Sequence, residues 1–251
     1  MKQKNISKPM QPVSIKPGEY AEHSILTAIL EGDYTRGSVL PGERVLAEKL
    51  GVTRPTLRET LQRLSREGWV TIRHGKPSLV NDYLKDGGLR MLSTMTKYSE
   101  YLPDGFIQSL LEFRMTLLPV IAERAAAHAP ERLLVYLDGR KSLEDDPAAF
   151  AEYDWELQTL MARLSKNPIY NMIINDFTEM YKTIAIRYFV SDQARTISKN
   201  YYRNLAGTVK KGEKSVEDVT RQMMQESIFI WDDIKQQHKE AKHAAMERMG
   251  R

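Results

Sequence analysis

The sequence contains no cysteine among its 251 residues. This absence excludes disulfide bonds, thiol nucleophiles and thiolate metal ligands. It is compatible with a reducing compartment, and the expected localisation is cytoplasmic. Long apolar runs are also missing, since no stretch approaches the roughly 20 residues that cross a bilayer. We therefore expect no membrane partner.

Signals of secretion and of catalysis are missing as well. The first twenty residues contain lysines but no apolar core, so they do not resemble a secretory signal, and three prolines predict a disordered tail over residues 1–17. The chain has no Gly-X-Ser-X-Gly run, no phosphate-binding glycine loop and no nucleophile–base arrangement. We expect neither catalytic residues nor a cofactor, and so no enzyme.

The richest pattern that is present lies at residues 41–80. A helix is predicted over 43–50, in which Val45, Leu46 and Leu50, with the later Val52, are expected to contact the neighbouring helices. Gly51 ends this helix because glycine tolerates the left-handed backbone there. Thr53 is a suitable N-cap for a second helix. Leu57, Leu61 and Leu64 then repeat at helical spacing. Two short helices joined by a tight turn are typical of a helix-turn-helix.

The second helix begins with side chains suited to a DNA major groove. Thr53, Arg54, Thr56 and Arg58 stand at or near its entrance, away from the leucine stripe. An arginine fork can bind a guanine edge or a phosphate, and a helix N-terminus favours a phosphate. The alternative is an ordinary solvated helix face, with its arginines paired to neighbouring glutamates.

A cationic hairpin follows the two helices. Residues 69–73 alternate, with Val70 and Ile72 predicted to face inward, and residues 78–80 can return antiparallel. Its turn carries His74, Gly75 and Lys76, which are suited to a phosphate or minor-groove contact. Alone this segment could be an ordinary charged hairpin, but next to the helix pair it predicts a winged DNA-binding domain. Arg44, in the first helix, is predicted to contact DNA as well.

Charge is divided unevenly along the chain. Residues 1–80 hold thirteen Lys and Arg against eight Asp and Glu, a balance of +5, whereas residues 81–251 hold twenty-four against twenty-five. A basic amino-terminal module on a nearly neutral body is expected of a DNA-binding regulator. We predict an α+β winged helix-turn-helix over 18–82, a linker over 83–88 and an all-α helical bundle over 89–251.

Helical periods without strand signals predict the helices of that bundle. Their expected ranges are 89–99, 104–129, 130–137, 147–165, 168–189, 192–210 and 215–247, and a further helix over 21–31 supports the winged domain.

Residues 40–70, LPGERVLAEKLGVTRPTLRETLQRLSREGWV, resemble the winged helix-turn-helix of the GntR family of bacterial transcription regulators. The wing IRHGKPSLVN at 72–81 is similar to that of the fatty-acid-responsive FadR subgroup. The resemblance implies a homodimer on a palindromic double-stranded operator. It also implies repression of fatty acid degradation genes, with activation of fatty acid synthesis genes as a further expectation.

One large branch of the family binds a divalent metal in its carboxyl-terminal domain through an aspartate and three histidines. This chain has Asp154, but Gln158 stands where the first histidine is expected, Tyr201 near the second, and Met224 and Gln225 in the region of the third. An amide and a phenol are poor substitutes for imidazole. We expect no metal site.

The FadR subgroup also lacks that metal, and similar segments include LLEFRMTLLP, FAEYDWEL, MYKTIAIRYF, NYYRNL and ESIFIW. The resemblance implies that long-chain acyl-CoA is the effector and that its binding releases DNA. The residues implied at the acyl-CoA site are Arg114, Tyr181, Tyr188, Tyr202, Met224, Ser227 and Trp231. Met224 replaces a glycine of the subgroup, so we expect a shortened tunnel or a shifted chain-length preference.

The same residues allow other interpretations. Met172, Ile173, Phe177, Met180, Ile184, Met223, Phe229 and Ile230 could line an acyl tunnel, or they could simply pack the core. Lys182, Arg187 and Arg203 could meet CoA phosphates or form a solvated face. A GntR regulator that senses another small molecule, such as an organic acid, stays an alternative.

Overall fold

The computed structural model describes residues 16–98, 101–102, 105–212 and 215–249, so residues 1–15 of the tail predicted over 1–17 lie outside the described residues, and Pro17 is helical rather than part of a tail. The chain divides into two compact units, one ending at Met91 and the other beginning at Leu92. None of the helices in the described ranges has the length and apolarity needed to cross a bilayer.

The amino-terminal unit contains three helices and a small antiparallel hairpin. Helix α1 is Pro17–Glu31, α2 is Glu43–Leu50 and α3 is Arg54–Glu67. Strand β1, Val70–Thr71, pairs with β2, Leu79–Val80, and Val39 makes one further antiparallel bridge to Leu79. Helix α1 begins earlier than predicted because Pro17 occupies its first turn, where a missing N–H costs nothing.

A leucine-rich core joins these elements. Leu57, Leu61 and Leu64 are buried as predicted, and Trp69 is fully buried against Tyr83, with ring centroids 5.1 Å apart. The prediction for Val45 was wrong: it is 48% exposed, because helical geometry turns Leu46 and Ala47 inward instead. Ile72 is also exposed, because the strand pairing ends at Thr71 and the chain turns away.

The carboxyl-terminal unit is all helical within its described residues. Helix α4 (Arg90–Lys97) contains the boundary between the units. The helices that follow are α5 (Phe106–His128), α6 (Pro130–Asp138), α7 (Pro147–Leu164), α8 (Pro168–Asp176), α9 (Thr178–Phe189), α10 (Asp192–Lys211) and α11 (Val216–Met249), with a short 3-10 helix at Gly139–Ser142. The predicted fold class, a winged helix-turn-helix followed by an all-α domain, is confirmed.

One predicted helix of this unit is divided in two. The range 168–189 breaks at Phe177, whose N–H bonds to the Ile174 carbonyl at 3.1 Å. Thr178 donates its hydroxyl to the Asn175 carbonyl at 2.8 Å, which satisfies a carbonyl at the end of α8. The break separates α8 from α9, and Phe177 is buried at the junction.

Helix α7 is the most enclosed element of the bundle. It buries residues on several sides, among them Phe150, Leu157 and Met161, together with the polar Asp154 and Gln158. Asp146 caps its start by accepting the Ala149 N–H at 2.9 Å. Because α7 contacts α5, α8 and α9, a polar group placed on it can reach several helices at once.

Arg63 is expected to stabilise the amino-terminal unit. Its Nε donates to Glu22 at 2.9 Å and its Nη2 to the Gly18 carbonyl at 3.3 Å, which ties α3 to α1. Replacing Arg63 with Ala should lower the free energy of unfolding by about 1–2 kcal/mol, measured by urea titration. Arg66→Ala is the matched control, because Arg66 is exposed and makes no hydrogen bond or ion pair within the described ranges. Equal unfolding midpoints for the two variants would contradict this role.

Candidate functional site

The entrance of α3 presents the predicted DNA-contacting residues at the surface. Thr53 caps the helix by accepting the Thr56 N–H at 3.3 Å, and the two hydroxyls lie 2.8 Å apart. Arg54, in the first turn, is exposed and has no hydrogen-bond or ion-pair partner within the described part of the chain. A free guanidinium at a helix N-terminus is suited to a phosphate or a base edge.

Two further predicted contacts are held by exposed ion pairs. Arg44 contacts Glu48 at 2.9 Å, and Arg58 contacts Glu43 at 3.3 Å. The two arginine side chains are 69% and 65% exposed. Exposed pairs of this kind contribute about 0–1 kcal/mol, so both arginines can exchange a carboxylate for a phosphate at little cost.

The tip of the hairpin is closed by its own backbone. Arg73 Nε donates to the Pro77 carbonyl at 3.1 Å, and the Lys76 N–H donates to the Arg73 carbonyl at 3.3 Å. Gly75 has a φ of +68°, a conformation that favours glycine. His74 and Lys76 are thereby left exposed at the turn. Arg73, unlike His74 and Lys76, uses its side chain to hydrogen-bond within the turn.

The carboxyl-terminal unit encloses an apolar pocket between α5, α7, α8, α9 and α11. Six of the seven predicted ligand residues line it: Arg114, Tyr181, Tyr188, Met224, Ser227 and Trp231. The seventh, Tyr202, is fully buried and is not among the lining residues described. Of the expected tunnel residues, Phe177, Met180, Ile184 and Met223 line the pocket, whereas Met172 and Phe229 are mostly exposed.

The free space inside this pocket is about 60 Å³. Ligand pockets usually measure about 300–1,000 Å³, so the side chains nearly fill this one. Three methionines, Met180, Met223 and Met224, contribute to the wall, and their flexible thioethers can be displaced. An occupant of any length must therefore widen the pocket.

A buried carboxylate forms the polar centre beside the pocket. Asp154 is 7% exposed and accepts three hydrogen bonds from two other helices and its own. Gln158 Nε2 donates to Oδ2 at 2.5 Å, the Tyr181 hydroxyl donates to the same oxygen, and the Tyr202 hydroxyl donates to Oδ1 at 2.8 Å. Asp154 and Gln158 were considered only as metal-site positions in the sequence; their spacing of four was the available signal for a contact.

Burial, followed by the nearby Asp154 charge, raises the pKa of both Tyr181 and Tyr202 well above the ordinary tyrosine value. Both phenols therefore keep their protons and donate to the carboxylate throughout the physiological range. Tyr202 therefore contributes to the pocket indirectly, because it does not line the pocket but donates a hydrogen bond to Asp154, which does.

Two polar groups on the pocket wall lack well-formed hydrogen bonds. Arg114 Nε is buried and makes no hydrogen bond within the described residues, and the buried Tyr188 hydroxyl has only the Ser227 hydroxyl as a side-chain neighbour, without a hydrogen bond of ordinary geometry. The Arg114 guanidinium lies 5.0 Å from the centroid of the Tyr181 ring, on which Trp155 also stacks at 4.7 Å. Burial raises the pKa of Tyr188 to about 12, so its hydroxyl is a donor. Unsatisfied buried donors of this kind mark a place for a ligand acceptor.

The residues proposed for CoA phosphates, Lys182, Arg187 and Arg203, are exposed on α9 and α10. Within the described ranges no three His, Cys, Asp or Glu side chains come together as a metal-binding group. Gln158 stands where the metal-binding branch has a histidine, and its amide donates a hydrogen bond to Asp154 instead of binding a metal.

Tyr202 and its neighbour Tyr201 provide a matched test of the buried carboxylate. Tyr202→Phe removes one donor from Asp154 and should cost about 1–3 kcal/mol of stability. Tyr201→Phe removes only a contact to Thr220 at 3.3 Å, and Thr220 already donates to the Val216 carbonyl, so the loss should be smaller. Thermal and urea unfolding would measure both; a larger loss for Tyr201→Phe would contradict the assigned role of Asp154.

Comparison with known proteins also divides the chain into two parts, which meet at residue 80. Residues 17–80 match the family described as bacterial regulatory proteins, gntR family, and residues 81–242 match the FadR C-terminal domain. A fatty acid metabolism regulator protein of Klebsiella pneumoniae is 37% identical over 86% of this chain and 90% of its own. One of Shewanella pealeana is 41% identical over 75% of this chain and 79% of its own.

Among solved structures, the Lar protein, which controls expression of the Listeria monocytogenes agr system, covers 89% of this chain and 98% of its own with a TM-score of 0.56. At 15% identity this likeness concerns the fold alone. The matches to both units and the identity to curated relatives decide the family. The chain belongs to the GntR family of bacterial transcription regulators and carries a FadR-type carboxyl-terminal domain.

Proposed function

We propose that this protein regulates fatty acid metabolism genes by binding a palindromic operator as a homodimer and leaving it when long-chain acyl-CoA binds. The proposal includes repression of fatty acid degradation genes and activation of fatty acid synthesis genes. The observation that carries it is the apolar pocket of the FadR-type domain, with unpaired donors on its wall. The names of the curated relatives support the same assignment.

The amino-terminal unit supplies the DNA contacts in this proposal. Arg54 approaches base edges or phosphates from the entrance of α3, and Arg44 and Arg58 exchange their exposed carboxylate partners for phosphates. His74 and Lys76 reach the backbone or the minor groove from the hairpin. Each cation that neutralises a phosphate releases counterions, so affinity falls as salt rises.

The acyl group occupies the apolar pocket. Its thioester oxygen is an acceptor for Arg114 Nε, which makes no hydrogen bond in the described structure, or for the Tyr188 hydroxyl beside Ser227. The CoA phosphates stay at the surface, where Lys182, Arg187 and Arg203 are exposed. Met224 narrows the pocket, and we propose that it favours shorter acyl chains than a glycine would.

Release requires that acyl-CoA favour one conformation over another. The pocket's free volume of about 60 Å³ cannot contain a long acyl chain, so binding must displace side chains of the wall, such as its methionines, or move the helices that carry them. A ligand that binds only the widened state shifts the population towards it. The coupling free energy between acyl-CoA and DNA is then set by the difference in DNA-binding free energy between the two states.

A gel shift at fixed salt tests the proposal. Protein bound to a palindromic fatty-acid operator should be released by hexadecanoyl-CoA but not by free CoA or citrate. An octanoyl-CoA arm measures chain-length preference. Operator binding unchanged by any acyl-CoA would refute the proposed effector, and release by citrate would favour an organic-acid sensor instead.

Arg54 and Lys76 should differ in what they contribute to DNA binding. Arg54→Ala should cost about 1–3 kcal/mol on the preferred operator and reduce discrimination against mutated operators. Lys76→Ala should weaken all duplexes alike and lower the salt slope by about one. Fluorescence anisotropy across a salt series measures both quantities. Wild-type affinity and slope in both variants would show that these assignments are wrong.

A further inference from the structure

The pocket wall contains one negative and one positive charge. Among the described lining residues, Arg114 and Asp154 are the only two with formally charged side chains, and the others are apolar, aromatic, hydroxyl or amide groups. The pocket is therefore balanced in charge before any ligand enters. In a low-dielectric site of this kind an additional unpaired charge is expensive.

The two charges are held in different ways. Asp154 is fixed by Gln158, Tyr181 and Tyr202, which already occupy both of its oxygens. Arg114 forms no ion pair with it in the described structure; the guanidinium rests near the Tyr181 ring, and Nε has no acceptor. The negative charge is thus immobile and satisfied, whereas the positive group can still accept a ligand.

We propose that Asp154 determines specificity by excluding ligands that end in a free carboxylate, so that the pocket accepts an acyl group only as an uncharged ester, thioester or amide. An uncharged carbonyl can use the free Arg114 Nε without disturbing the charge balance. A carboxylate at the same place pairs with Arg114 but leaves two negative charges in the pocket to share one positive charge. This inference rests on the proposed function, because it concerns which form of an acyl group the pocket admits.

The charge balance makes a reciprocal prediction for the two residues. Asp154→Asn keeps the side-chain shape and leaves Arg114 as the only charge, so a carboxylate becomes favourable. Arg114→Gln leaves Asp154 alone, so an alkylammonium becomes favourable instead. Tyr201→Phe is the matched control, because it removes a buried phenol hydroxyl that contacts Thr220 and leaves the hydrogen bonds of Asp154 intact.

The experiment uses dodecanoyl-CoA, methyl dodecanoate, dodecanoate and dodecylammonium, each below its micelle concentration, on the full chain. Quenching of Trp155 and Trp231, which line the pocket, reports binding, and calorimetry gives an independent affinity. Wild-type protein and Tyr201→Phe should bind the two uncharged acyl groups and discriminate against both ions. Asp154→Asn should gain about ten-fold or more in affinity for dodecanoate relative to methyl dodecanoate.

The outcomes separate this inference from the function on which it rests. If wild-type protein and Asp154→Asn both bind dodecanoyl-CoA and discriminate equally against dodecanoate, the inference is wrong but the proposed function stands. Absence of dodecanoyl-CoA binding to wild-type protein would overturn the proposed function and the inference together. If Asp154→Asn does not fold, Arg114→Gln decides: a gain for dodecylammonium supports the charge balance, and no gain overturns it.

Discussion

The requirement of one buried carboxylate for hydrogen-bond donors organises the carboxyl-terminal unit. Asp154, on the enclosed helix α7, draws Tyr181 from α9 and Tyr202 from α10 towards one point. A buried charge without such donors would cost several kcal/mol, so the three helices can pack together only in an arrangement that supplies them. The pocket wall, with Arg114 against Tyr181, is built outward from that arrangement.

The arginines of helix α3 in the amino-terminal unit have two different roles, since one stabilises the fold and another is free at the surface. Arg63 turns towards α1 and binds Glu22 and Gly18, whereas Arg54 at the entrance keeps its guanidinium free. The Thr53 cap fixes the start of the helix and hence the direction in which Arg54 projects. Placing the free cation where helix N–H groups already favour an anion concentrates the electrostatic attraction at one site.

Much of this was predictable because the controlling signals are local. Gly51 ends α2 with a φ of +65°, and Thr53 caps α3, as their residue types predict. The strand length and the break at Phe177 were mispredicted, since cross-strand pairing and a junction between two helices depend on neighbours that periodicity does not describe. The role of Asp154 was also missed, because Tyr181 and Tyr202 lie 27 and 48 positions away from it.

The helical periods, the caps, the uneven charge and the residue types at the α3 entrance can all be read from the sequence, because each depends on neighbours within a few positions. The sequence also carried the family resemblance that the matched ranges confirm. The packing of the helices was needed to show that Tyr202 lies behind the pocket wall and that Arg114 and Asp154 are its only described charges. Those facts depend on which helix faces meet, and packing complementarity among distant segments sets that.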